Sequence, residues 1–306
     1  MLSEIISPTI ADLFNQSIEL GCFPMCLKTS RVVPIYKKDD PRLPSNYRPI
    51  STLPVLSKLF ERLMYVRVAK FLDRVGILSD NQFGFRTGRG TTDAILEIYE
   101  NAYGAVDKSE VFATILLDFS KAFDTVKHDI LIDKLELMGI RGSCRDWFES
   151  YLSGREQYVQ IGKDRSSSVK MSHGVPQGSV MGPLLFILYI NDMSQCCKHF
   201  SFIHYADDTT AYMSHGNLDI LYSAICEDLE NVERWMIANR LSVNMSKTVF
   251  MLMSSRKIPE ERKLFFRGKE IERKHSEKFL GVIVDDRMNF KPQTDKICGK
   301  LSRMAA

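Results

Sequence analysis

The chain has 306 residues, 44% of them hydrophobic, so it can bury a substantial core and is not disordered over most of its length. Its net charge is only +3, but 14 Lys and Arg against 8 Asp and Glu between Arg256 and Arg303 leave that segment at +6 and the remainder at −3. The seven cysteines are odd in number and form no C-x-x-C pair, which argues against a disulfide framework or a zinc site and fits a reducing, intracellular setting.

Taken in order, Ile5–Leu20 is predicted helical, and Gly21–Pro24 breaks it. Glu4 and Asp12 in this opening do not suit a secretory signal. The stretch to Pro54 is punctuated by proline and extended, with Arg31–Tyr36 an edge strand. Ser57–Val75 reads as a helix, because Leu59, Phe60, Leu63, Met64, Val66, Phe71 and Leu72 recur near helical spacing while Glu61, Arg62, Arg67 and Lys70 fall largely outside that stripe. Thr91–Tyr103 is a further helix. Val111–Leu117 is an uninterrupted apolar run that suits a strand covered on both faces, and Asp118 is its first charge. Beyond it, Phe119–Asp124 turns the chain into a helix running to about Gly139.

Asp146–Leu152 is predicted helical, and Tyr158–Ile161 with Ser168–Met171 a hairpin. The apolar helix from Leu184 to about Asn191 carries Pro183 in its first turn, and its longest apolar run is far below the ~20 residues that span a bilayer. A soluble protein without a membrane partner is expected. Phe202–Ala206 and Thr209–Met213 form a hairpin with Asp207 and Asp208 at or beside its tip. Ile220–Arg240 is a long helix, Thr248–Met253 a strand, and Phe279–Val284 a last strand before Asp285-Asp286, a pair assigned to a turn. Together these give an α+β fold, an antiparallel or mixed sheet with helices on one face.

The chemistry centres on Asp118, Asp207 and Asp208. Two carboxylates about 4 to 5 Å apart repel by roughly 3 to 4 kcal/mol at an effective dielectric near 20, so a cation belongs between them. Carboxylates at a strand end and an adjoining hairpin can hold two Mg²⁺ ions for in-line phosphoryl transfer. The plainer alternatives are a solvated Asp-Asp turn and a helix-capping Asp118. Asn81–Thr92 places Arg86 and Arg89 among three glycines before a helix, as in a triphosphate clamp or an ordinary exposed turn. His173–Pro183 is a second glycine-rich loop in which Gln177 could touch an incoming nucleotide; otherwise it is a flexible connector. Lys247 could donate a proton to departing pyrophosphate, or simply be exposed. The basic C-terminal segment suits a phosphate backbone or a solvated face.

Ordered motifs then carry a resemblance. Asn46–Ser51 (NYRPIS), Gln82–Arg86 (QFGFR), Leu117–Asp124 (LDFSKAFD), Gly174–Ser179 (GVPQGS), Tyr205–Asp208 (YADD), Leu241–Asn244 with Lys247-Thr248, and Phe279–Gly281 resemble the reverse transcriptases of non-LTR retrotransposons of the jockey type. The likeness covers about 31–286.

It implies a right-hand polymerase of fingers and palm, the palm an antiparallel ferredoxin-like sheet with the thumb largely missing. The implied division is an N-terminal helical extension (1–30), a reverse transcriptase domain (31–285; fingers about 31–110 and 141–178, palm about 111–140 and 179–285) and the start of a truncated thumb (286–306). By resemblance, Asp118, Asp207 and Asp208 hold two Mg²⁺ ions, with Mn²⁺ as a substitute, and the carbonyl of Phe119 completes the ligand set. Phe123 is the steric gate against a ribose 2′-OH. Arg86, Arg89, Gln177 and Lys247 serve the nucleotide, and Arg48, Gly178, Leu280 and Gly281 the primer and template. The implied partners are an RNA template, a DNA primer and dNTPs, in the nucleus and cytoplasm. The rivals are a catalytically inactive RNA-binding remnant of a mobile element and an intron-type enzyme that assists splicing; the LDFSKAFD wording and the lack of a maturase segment argue against the latter.

Overall fold

The computed structural model describes residues 2–259 and 261–305. The chain divides into two compact units, Met1–Leu78 with Lys121–Ile190, and Ser79–Ser120 with Asn191–Ala306.

The first unit contains α1 (Leu2–Glu19), β1 (Thr29–Tyr36), β2 (Tyr47–Thr52) and α2 (Val55–Val75), then α4 (Ala122–Thr125), α5 (His128–Leu137), α6 (Ser143–Leu152), β4 (Glu156–Ile161), β5 (Asp164–Arg165), β6 (Val169–Lys170) and α7 (Met181–Tyr189). α2 ends where Gly76 takes the left-handed conformation (φ 67°) that closes a helix without Cβ strain. Every residue of α7 from Leu184 to Tyr189 is buried, and Phe23, Trp147 and Tyr151 pack ring to ring at 5.1 to 5.6 Å.

This unit departs from the sequence pattern at two places. β1 is not an edge strand: it lies between β2, antiparallel, and β4, parallel. The parallel pairing stops at Val32, so Pro34 follows the last residue that must donate to β4, and on the other side it faces Pro49. Nor does one helix run from Phe119 to Gly139. The Phe123 carbonyl accepts the Val175 N–H (2.8 Å), the Val126 carbonyl accepts the Gly174 N–H (2.7 Å), and the Lys127 N–H reaches the Tyr189 hydroxyl (3.4 Å). Those groups are spent on the 173–179 loop and on α7, so the helix breaks into α4 and α5.

The second unit contains α3 (Thr91–Asp107), β3 (Val111–Asp118), β7 (Ser201–Tyr205), β8 (Asp208–His215), α8 (Leu218–Ala238), β9 (Val249–Met253), β10 (Leu264–Phe266), β11 (Lys269–Arg273), β12 (Ser276–Phe279), β13 (Val282–Asp285) and α9 (Lys291–Ala305). Its main sheet has the order β10-β11-β9-β3-β8-β7, antiparallel except for the β9–β11 pair. β3 is central, which is why its run is apolar on both faces. α3 packs onto it through Ala94, Ile98, Tyr99 and Ala102, in one cluster with Phe112, Tyr212, Met251 and Met253.

The single strand expected over Phe279–Val284 is a hairpin instead. Leu280 (φ 46°) and Gly281 (φ 99°) form a two-residue turn between β12 and β13, and two positive φ angles are what a tight type I′ hairpin needs. Of the Asp285-Asp286 pair expected in a turn, Asp285 instead closes β13 and Asp286 opens the turn beyond it, which the Asp285 carboxylate organises by accepting N–H bonds from Arg287, Asn289 and Phe290. No described helix is long and apolar enough to cross a membrane.

Candidate active site

Asp118, the last residue of β3, and Asp208, the first of β8, are partners in the antiparallel register. Direct partners project from the same face of a sheet with Cα atoms about 4.5 to 5.5 Å apart, so the two carboxylates emerge side by side. Tyr205 pairs with Asp208, leaving Ala206 and Asp207 as a two-residue turn that sets Asp207 next to them.

Ala206 has φ 58°, a conformation that costs an L-residue roughly 1 to 2 kcal/mol. A neighbouring segment holds it there. Residues 81–84 run along the free edge of β7: the His204 N–H bonds the Asn81 carbonyl and the Phe83 N–H bonds the His204 carbonyl, both at 2.8 Å. Gly84 then lies against the turn itself. A Cβ on Gly84 would sit 2.5 Å from the Ala206 nitrogen and 3.0 Å from the Tyr205 carbonyl carbon. Both are backbone atoms at the closing end of the β7–β8 hairpin, so Gly84→Ala is expected to destabilise the protein by about 1 to 3 kcal/mol and displace the turn. An unshifted denaturation midpoint would show that the loop yields freely.

Beneath the turn, His204 is fully buried, stacked on Phe202 (5.4 Å, 7° between planes), with Nδ1 3.0 Å from the Thr209 hydroxyl. Burial lowers its pKa to about 4, so it is uncharged near neutral pH. The cationic groups close to the carboxylates come from elsewhere. Lys247 Nζ lies 3.0 Å from Asp118 Oδ2. Partial burial first, then the charges of Asp207 and Asp118, push the Asp208 carboxyl above the ordinary range, against the pull of Lys247 and Lys278.

The 241–248 loop reaches Asp118 by a short bridge of Phe119 with Val243. The Ser120 N–H bonds the Ser242 carbonyl (2.8 Å) and the Asn244 N–H bonds the Asp118 carbonyl (2.7 Å). The bridge uses the Asp118 carbonyl and leaves that of Phe119 outside it. A cleft of about 320 Å³ opens alongside, lined by Asp118, Asp208, Lys247, Lys278 and Leu280 among others.

Among the described residues, no three His, Cys, Asp or Glu side chains converge on a point where an ion could sit. The Lys247 ammonium lies against one oxygen of Asp118. In kind the residues still fit a hard divalent cation, being carboxylate oxygens with a Coulombic penalty to relieve.

The other residues singled out in the sequence fall in both units. Arg86 and Arg89 turn back on their own loop: Arg86 donates to the Ser79 carbonyl (2.9 Å), Arg89 pairs with Asp80 (3.1 Å), and its guanidinium lies 5.1 Å from the Phe83 ring. Leu280 and Gly281 form the β12–β13 turn. Arg48, Phe123, Gln177 and Gly178 belong to the first unit. There Phe123 packs on Phe186 (5.0 Å), Arg48 is exposed on β2, and Gly178 (φ 118°) lies so close to the Ser51 carbonyl that a Cβ would be 2.6 Å away. Sequence reading missed Lys278, whose only signal was its place just before Phe279-Leu280-Gly281.

The family described as "Reverse transcriptase (RNA-dependent DNA polymerase)" matches residues 35–284. The chain belongs to the reverse transcriptase family. Among curated reverse transcriptase relatives, it is 32% identical over 303 residues to the probable RNA-directed DNA polymerase from transposon X-element of Drosophila melanogaster, covering 96% of this chain and 33% of the relative. It is 28% identical over 291 residues to the RNA-directed DNA polymerase from mobile element jockey of the same species, covering 92% and 31%. The chain thus spans about a third of the length of these relatives. A telomerase structure from Candida albicans, solved with a fragment of telomeric RNA, shares the fold: TM-score 0.58 at 15% identity, over 85% of this chain and 45% of that one. The α+β fingers-and-palm architecture expected of a reverse transcriptase is the one found.

Proposed function

We propose that this chain is the polymerase portion of a non-LTR retrotransposon protein, adding dNTPs to a primer 3′-OH under the direction of an RNA template. The observation that carries this reading is the in-register facing of Asp118 and Asp208 with Asp207 in the adjoining turn. These three side chains would hold two Mg²⁺ ions, Mn²⁺ substituting, with the Phe119 carbonyl as a further ligand. Ions held there would supply charge that lowers the pKa of the attacking hydroxyl and neutralises the leaving pyrophosphate.

The chain's own residues position and neutralise. Lys247, exchanged from Asp118, places a cation and a proton on the pyrophosphate side. Arg86 and Arg89 hold the triphosphate once they leave Asp80, Phe123 excludes a 2′-OH, and Gln177 supports the nucleotide. Arg48, Gly178 and the Leu280-Gly281 turn serve template and primer. In this reading 1–30 is a helical extension, 31–110 with 141–178 are the fingers, 111–140 with 179–285 the palm, and 286–306 the opening of a thumb. The setting is intracellular, cytoplasm and nucleus.

The test is extension of a DNA primer on an RNA template by the purified chain. Template-dependent products that require dNTPs and a divalent ion and vanish with chelator are expected. RNA binding without extension in either Mg²⁺ or Mn²⁺ would instead support the inactive RNA-binding remnant.

A further inference from the structure

Glu61 lies on α2 between Phe60 and Arg62, where sequence reading placed it outside the apolar stripe, yet it is fully buried. A buried carboxylate persists only with hydrogen bonds and compensating charge. Glu61 has both. Oε2 accepts the Val180 N–H at 2.6 Å and the Met181 N–H at 3.3 Å, and Oε1 accepts the Tyr151 hydroxyl at 3.1 Å. Arg155, equally buried, donates Nη1 to the Tyr151 carbonyl (3.1 Å), with its guanidinium 4.8 Å from the Tyr151 ring, and its Nε and Nη2 have no partner among the described residues. Burial pushes the Glu61 carboxyl up, while the Val180 N–H and the Arg155 charge oppose that rise.

The two amides that Glu61 binds are the continuation of the Gln177–Ser179 turn. On its other side the same turn is pinned to β2, since the Ser51 N–H donates to the Gln177 carbonyl at 2.7 Å and Gly178 abuts the Ser51 carbonyl. Gln177 lines a cleft of about 310 Å³ together with Ser51, Asp124, Gln157 and His173. The turn is therefore clamped between a strand and a buried acid, and the acid is the end whose strength depends on charge.

We propose that Glu61, oriented by the Tyr151 hydroxyl and balanced by Arg155, is a positioning residue that holds the Gln177-Gly178 turn at the nucleotide. This rests on the polymerase reading above for the identity of the ligand, not for the clamp itself.

Two variants test it. Glu61→Gln keeps size and shape but removes the charge that accepts the Val180 and Met181 N–H bonds; Tyr151→Phe removes one hydroxyl and is the gentler change if the first fails to fold. In primer extension by the full chain, KM for dNTP is expected to rise roughly ten- to a hundredfold with kcat within a fewfold, since a displaced positioning group costs that order. Amide hydrogen exchange at Val180 and Met181 is expected to accelerate by a similar factor, with the rest of α7 unchanged. A merely structural role would lower the melting temperature and the active fraction and leave KM alone. Folded variants with wild-type KM and wild-type exchange at those amides would overturn the proposal. Should the wild type extend no primer, the polymerase reading falls, and the exchange at Val180 and Met181 decides the clamp by itself.

Discussion

Asp207→Asn is expected to lower primer extension by about three orders of magnitude or more while leaving the fold intact. A metal-bound transition state draws several kcal/mol from charge stabilisation, and each ~1.4 kcal/mol is tenfold in rate. The turn places Asp207 on the surface, outside the ladder, so its replacement breaks no backbone hydrogen bond. The electrostatics give a second readout. Asp207 is one of the charges that raise the Asp208 carboxyl, and a raised folded-state pKa means the native form holds its proton more tightly than the unfolded chain does. That contribution is complete at pH below the unfolded value near 3.9 and is lost as pH rises through the raised folded-state value. Removing Asp207 shrinks the loss, so without metal the variant should unfold no earlier than wild type at neutral pH. Incorporation retained within tenfold by a pure, folded variant would remove Asp207 from the metal site.

Phe123→Ala is the second large effect: discrimination of dNTP over rNTP is expected to fall by roughly 10- to 200-fold, the range that a steric change of a few methylenes commands. The ring is half-buried and rests on Phe186 at 5.0 Å, and the loop bond from Val175 N–H to the Phe123 carbonyl fixes its backbone. A ring backed by Phe186 on a tethered backbone can exclude a 2′-OH by bulk. Single-nucleotide incorporation with paired dNTP and rNTP checks it, and equal discrimination in the variant would end the gate assignment.

What the sequence revealed followed local physics. β3 was legible because a strand buried on both faces must be apolar throughout, and the β7–β8 hairpin because aromatic and β-branched residues flank a polar tip. That Asp118 ends a strand beside this hairpin was expected, but the register that pairs it with Asp208 is a long-range property of the sheet. The helix break at Val126 was hidden, since it arises from bonds to residues 173–175 that no local pattern encodes. β1 passed for an edge because Pro34 suggested one; only the end of the β4 pairing at Val32 explains how an interior strand carries that proline. Glu61 looked like surface because its partners, Val180, Met181 and Tyr151, are remote in the chain. Lys247 was singled out for pyrophosphate, but its contact with Asp118 depends on the Phe119–Val243 bridge, again a long-range pairing.

The position of β3 in its sheet also bears on biogenesis. During synthesis β3 leaves the ribosome well before its neighbours, because Asp118 must wait for Asp208 and Leu116 for Val249. Until then an all-apolar segment with both edges open is available to other nascent chains, the condition under which β-rich intermediates clump. Yield in a heterologous host should accordingly respond to chaperone supply and slower translation more than to any stabilising change on the finished surface.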